Sequence, residues 1–134
     1  MRTIDGRAHA AAISAAVTSD VERLRGQGIV PRLAVVVATD DEATAWYVRN
    51  IGRAAKKIGV DCVVETMVGV DTASITRRLA ALSIDPDVHG IICQTPLPAG
   101  LSLAAAGAFI DPSKDVDGAN PLSLGRLAAG LDAY

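Results

Sequence analysis

Aromatic residues are scarce: one Trp, two Tyr and one Phe in 134 residues. The core therefore falls to aliphatic side chains within the 50% apolar content. With two cysteines at no pairing spacing, a disulfide framework is excluded, and two histidines leave a zinc site without ligands. Cys62 and Cys93 sit inside apolar runs and read as buried, reduced thiols. The formal charge of −2 supplies no basic field for a phosphate backbone, so a nucleic-acid partner is not expected. No run reaches the roughly 20 apolar residues of a membrane span. Asp5 and Gly6 interrupt any basic-then-apolar leader. The expected compartment is the cytoplasm, with no membrane partner.

What is present is an alternation of helical and strand patterns, long enough for one domain over residues 1–134. Ala8, Ala12, Ile13, Val17, Val21 and Leu24 recur at helical spacing, predicting a helix from about Gly6 to Gln27 that Gly26 and Gly28 can stop. Leu33 to Ala38 is a continuous apolar run, the pattern of a strand buried on both faces. Thr39-Asp40-Asp41 can cap a helix from about Glu42 to Ile58, closed by Gly59. Asp61 to Val68 reads as a strand, Asp71 to about Leu82 as a capped helix, Val88 to Cys93 as a third strand and Leu101 to Phe109 as a short helix. The expected fold class is α/β: an open parallel sheet with helices on both faces, in three α/β/α layers.

In such sheets ligands bind outside the carboxyl ends of the strands. Thr39-Asp40-Asp41 and Gln94-Thr95-Pro96 lie at two of those ends, and the 111–121 loop is within reach of them. Tyr47, early in its helix, suits either a surface-tipped packing role or a flat substrate stacked on its ring. Trp46 beside it reads as packing. Gln94 offers a donor and an acceptor, either to a ligand or to the loop backbone. Pro96 and Pro98 fix the chain around Leu97 as a preset wall. If the segment is extended, Asp115 and Asp117 share a face, one reaching a pocket while the other caps a turn. A calcium loop would need a glutamate where Leu124 stands, so no metal is expected.

Three pieces carry a resemblance: Tyr47-Val48-Arg49-Asn50, the run from Gly90 to Pro98, and Lys114-Asp115-Val116-Asp117-Gly118. In this order and spacing, within a similarity from Ile4-Asp5-Gly6 to Leu124-Gly125-Arg126-Leu127, they resemble the catalytic domain of the bifunctional methylenetetrahydrofolate dehydrogenase/methenyltetrahydrofolate cyclohydrolase family. The resemblance implies a tetrahydrofolate derivative as substrate or ligand. It implies catalytic roles for Tyr47, Gln94 and Asp117: stacking on the folate, positioning a catalytic lysine, and holding the pterin edge. Substrate contacts would come from Thr44, Tyr47, Gln94, Pro96, Leu97, Pro98, Asp117 and Gly118, with Thr44 in place of a family serine.

The family's lysine does not carry over; its position is Ile51. That residue lies about 40° from Tyr47 around the helix, whereas Arg49 and Lys56 fall about 160–180° away, Arg53 about 120° and Lys57 about 80° but nearly three turns on. Isoleucine can neither move a proton nor supply charge. Ala119-Asn120 replaces an aromatic-histidine pair, Ser123 an asparagine and Thr95 a leucine. No Gly-rich dinucleotide turn occurs, so the nicotinamide-binding domain is expected to be absent from this chain, and NADP to enter only through a second domain supplied elsewhere. The expected partners are a small-molecule folate and either that missing domain or a second copy of the chain. Two functional readings stand: a folate enzyme domain altered at its lysine, or a non-catalytic folate-binding or structural descendant of one.

Overall fold

The structure, a computed structural model, describes residues 5–133; Ile4 and Tyr134 lie outside the described residues. The elements in chain order are α1 (Gly6–Gly26), β1 (Arg32–Val37), α2 (Glu42–Lys57), β2 (Asp61–Thr66), α3 (Thr72–Ile84), β3 (Gly90–Gln94), α4 (Leu103–Gly107) and α5 (Pro121–Ala128), with a single 3-10 turn at Pro112–Lys114. The sheet is parallel in the order β2-β1-β3.

Alternation along β1 divides the interior. Ala34, Val36 and Ala38 face α3 and α4, packing with Ile75, Leu79, Leu82, Val88, Ile91, Cys93, Ala106 and Ile110. Val35 and Val37 face the other way, onto Val48 of α2, with Leu33, Ile51, Cys62 and Ile92 at the margin. Helices thus cover both faces, as the apolar runs imply. The first layer is the larger, so most of the hydrophobic stabilisation lies on the α3 side.

β2 is one edge of the described sheet, and its Val63 and Val64 are 39% and 44% exposed. The chain also forms α5, which the apolar periodicity did not suggest. Asn120 caps it by accepting from the Leu122 N–H at 2.7 Å, and Pro121 sits at the first helical position, where no N–H is needed. The short helix expected over Leu101–Phe109 contracts to α4, because Ser102 caps it by accepting from the Ala105 N–H.

Caps set the other helix starts. Asp41 accepts from the Thr44 N–H at 2.7 Å, and Asp71 from the Ser74 N–H at 2.6 Å. Hydrogen bonds from Thr44, Ser74 and Ser113 hold the carboxyls of Asp41, Asp71 and Asp111 below their ordinary value of 3.8. A lowered folded value means the unfolded chain binds these protons more tightly. The capping stability is therefore present above pH 3.8 and lost as pH falls through the folded values. The urea midpoint should accordingly drop between pH 6 and pH 3; a midpoint unchanged over that range would contradict the cap assignment.

Candidate active site

The carboxyl edge of the sheet is built by three connections. β1 runs through Ala38-Thr39-Asp40 into α2, so the first turns of α2 stand over that edge. Tyr47 is 53% exposed and Trp46 61% exposed. The packing role expected for Trp46 is therefore not what the structure shows: its position in the first half of α2 points away from both core layers. Thr44 is nearly buried, and its hydroxyl donates to Asp41 at 2.8 Å. The proton of that hydroxyl serves the cap, which leaves only its oxygen lone pairs to meet a ligand.

Gln94 ends β3 opposite Val37, which places it on the α2 face. Its Nε2 donates to the Thr95 carbonyl at 3.0 Å. The chain then turns through a cis Thr95–Pro96 peptide. Pro96, Leu97 and Pro98, with Ala38, Thr39, Asp40, Val68, Gly69 and Val70, line a cavity of about 320 Å³ at the same edge. Leu97 also rests on the α3-side core, so the wall is anchored.

Ile51 lies one turn beyond Tyr47, packed against Val35, Val37 and Val48. Below it an apolar groove of about 470 Å³ continues toward the amino ends of the strands, bounded by Leu33, Ala54, Ile58, Gly90 and Val116. Ile51 thus makes the helix stripe under the edge continuously hydrocarbon. Neighbouring cations are engaged elsewhere or turned outward. The Arg53 guanidinium donates to Asn50 at 3.4 Å, Lys114 Nζ donates to the Asp85 carbonyl at 2.6 Å, and Arg49, Lys56 and Lys57 are exposed.

The 111–121 loop runs beside β3. Asp115 forms an isolated parallel bridge to Ile91. Asp115 is fully buried, whereas Asp117 and Val116 are exposed. The extended segment with both acids on one face is therefore not formed. A 3-10 turn precedes Asp115, and Gly118 follows at φ +68, so the chain bends after a single bridged residue. Asp117 lies close enough to β3 to act on Cys93, whose thiol is pushed up to about 11 by burial first and the Asp117 charge second. Burial also raises the Cys62 thiol.

Gln94, the Pro96–Pro98 wall and the first turns of α2 that carry Tyr47 thus lie at the carboxyl edge of the sheet, and Asp117 lies in the loop that runs beside β3. Sequence reasoning expected one of the two acids to cap a turn without saying which, and it missed the part played by Asn120. The Asp115 carboxyl accepts from the backbone N–H groups of Ala119 and Asn120, both at 2.9 Å. Asn120 Nδ2 donates to the carbonyls of Gly107 at 3.2 Å and Ile110 at 2.7 Å. The available signal was an acid five residues before an Asn-Pro helix start. Among the described residues no group of three His, Cys, Asp or Glu side chains could hold a metal ion, and no helix is long and apolar enough to cross a membrane.

Comparison with known proteins agrees with this geometry. The model of the tetrahydrofolate dehydrogenase/cyclohydrolase catalytic domain matches residues 4–117. The chain is 58% identical over 134 aligned residues to a bifunctional protein FolD 1 of Saccharopolyspora erythraea, covering 99% of this chain and 46% of that protein. It is 54% identical to a bifunctional protein FolD of Parafrankia, covering 100% and 48%. Among solved structures, the bifunctional FolD methylenetetrahydrofolate dehydrogenase/cyclohydrolase of Campylobacter jejuni superposes with a TM-score of 0.91 at 31% identity, covering 96% of this chain and 46% of that one. The Trypanosoma brucei enzyme, solved with NADP and an inhibitor, gives 0.84 at 31% identity, covering 94% and 43%. The chain thus spans about half the length of the curated relatives it matches. With the match running from the first helix through the Asp117 loop, this chain belongs to the tetrahydrofolate dehydrogenase/cyclohydrolase catalytic-domain family.

Proposed function

We propose that this chain binds a reduced one-carbon folate at the carboxyl edge and turns it over slowly. One observation carries the reading: Gln94, at the end of β3, shares the α2 face with Ile51, which is packed on Val35, Val37 and Val48 and stands where the family has its lysine. The exposed Tyr47 ring offers a stacking surface to a flat pterin or aminobenzoyl system. Asp117 offers acceptors to the donor edge of a pterin. Gln94 offers a donor and an acceptor to polar ring atoms beside them.

The reaction to be run is water addition to the methenyl carbon. Water forms a C–O bond, loses its proton, and one C–N bond opens to leave a formyl group. The step needs a base for the water proton and a group to manage charge as the bond breaks. A positioned acid–base residue contributes about 10²–10⁴-fold, and an isoleucine contributes none of this. Hydride transfer would in addition require a nicotinamide-binding unit contributed by further chain or by a partner. The relatives are about twice as long as this chain, which leaves room for such a unit, and no motif in these residues provides one.

The test has two readouts on the same protein. Tetrahydrofolate should quench Trp46 fluorescence saturably, and Asp117→Ala should weaken binding about tenfold, the scale of one lost charge-assisted hydrogen bond. Methenyltetrahydrofolate absorbance should decay no more than a few-fold faster than in buffer. Absence of saturable binding would sink the folate reading and leave a structural module. Fast, protein-dependent decay would instead show an enzyme that works without the lysine.

A further inference from the structure

We infer that Asp115 is a positioning residue for the ligand edge, acting through Asp117. This rests on the folate reading proposed above. Both oxygens of its buried side chain are spent on the backbone: Oδ1 accepts from the Ala119 N–H and Oδ2 from the Asn120 N–H, each at 2.9 Å. The four residues from Val116 to Ala119 are thereby closed into a loop on a single side chain. Asp117 and Gly118 form its crown, and Gly118 takes a left-handed φ of +68 that permits the bend.

The base of that loop is clamped from two further sides. Asp115 is bridged to Ile91 in β3, which fixes its distance from Gln94 three residues on. Asn120 is tied by its Nδ2 to the carbonyls of Gly107 and Ile110, and a Cβ at Gly107 would collide with the Ala119 carbonyl. The end of α4 and the loop therefore meet backbone to backbone. At the crown Asp117 is exposed, and the Gly118 N–H donates to the carbonyl of Asp115 itself at 3.5 Å. The direction of Asp117 is inherited from Asp115.

The relation can be measured with a double-substitution cycle on the whole chain. Asp115→Asn keeps the shape but presents an amide donor to one of two backbone N–H donors. Tetrahydrofolate affinity should fall about tenfold in the wild-type background and stay within about twofold in the Asp117→Ala background. A role confined to general stability would weaken binding equally in both backgrounds, and that result would overturn the inference. Hydrogen exchange supplies the arm that needs no ligand. The Ala119 and Asn120 amides should exchange slowly in the wild-type protein and at least tenfold faster in Asp115→Asn, with the β1 amides unchanged. Fast exchange at both amides in the wild-type protein refutes the clasp even if the variant does not fold. A wild-type protein that binds no tetrahydrofolate removes the positioning role together with the folate reading. Faster exchange with undiminished affinity removes the positioning role alone.

Discussion

Ile51→Lys is expected to accelerate hydrolysis of methenyltetrahydrofolate by about 10²–10⁴-fold, the contribution of a positioned acid–base residue. The site is ready for the longer chain. Ile51 lies at the margin of its cluster, half-buried over Val35, Val37 and Val48, with Tyr47 one turn nearer the edge. A lysine stem can follow the same hydrocarbon surface while its ammonium reaches the wet edge beside Gln94. Partial desolvation there lowers the ammonium pKa toward neutrality, which favours proton transfer at physiological pH. Removing the isoleucine costs roughly 1–2 kcal/mol of burial, part of it returned by the lysine methylenes. The check is methenyl absorbance decay for both proteins, with melting curves and tetrahydrofolate titrations alongside. A folded, folate-binding variant that hydrolyses no faster than the wild type would show that more than the lysine is missing, with Thr95, Ala119 and Asn120 the next substitutions to revert.

Leu79→Ala should remove about 2–5 kcal/mol of stability, lowering the melting temperature on the order of 10–20 °C. Leu79 is fully buried on the inner face of α3, among Ile75, Val36, Ile91 and Ile110. No polar group or solvent channel stands ready to fill the space, so the transfer loss and the cavity add. Thermal unfolding by circular dichroism measures it; a loss under about 1 kcal/mol would mean the α3 layer collapses around the gap. Set beside Ile51→Lys, this substitution separates the two faces of the sheet. The α3 face holds the larger buried cluster, and the α2 face holds the smaller one at whose margin Ile51 lies.

The sequence made the parallel sheet legible because β1 is apolar at every position from Leu33 to Ala38, and because Asp41 and Asp71 announce the helices that follow. These are local signals. The edge position of β2 was not legible, because whether a strand is central depends on partners remote in the chain. α5 escaped because its start is written in an Asn-Pro pair, not in apolar periodicity. The candidate site was legible as motifs: Tyr47 lies in the helix that follows β1, Gln94 ends β3, and Asp117 lies in the loop beside β3. That one of Asp115 and Asp117 would cap a turn was legible, but which of them does so turns on which backbone amides come within reach of a carboxyl after the loop closes.

The edge position of β2 has a consequence for handling and assembly. Along its outer margin, among the described residues, backbone donors and acceptors have no strand partner, and Val63 and Val64 flank them with apolar surface. The charges at its two ends, Asp61 joined to Arg32 and Glu65 joined to Arg78, are what stand between this margin and the margin of another molecule. Such charges repel weakly once salt shortens their range to about 8 Å at physiological ionic strength. This six-residue strip is where a strand of another molecule would add to the described sheet, and added salt would weaken the charges that oppose it.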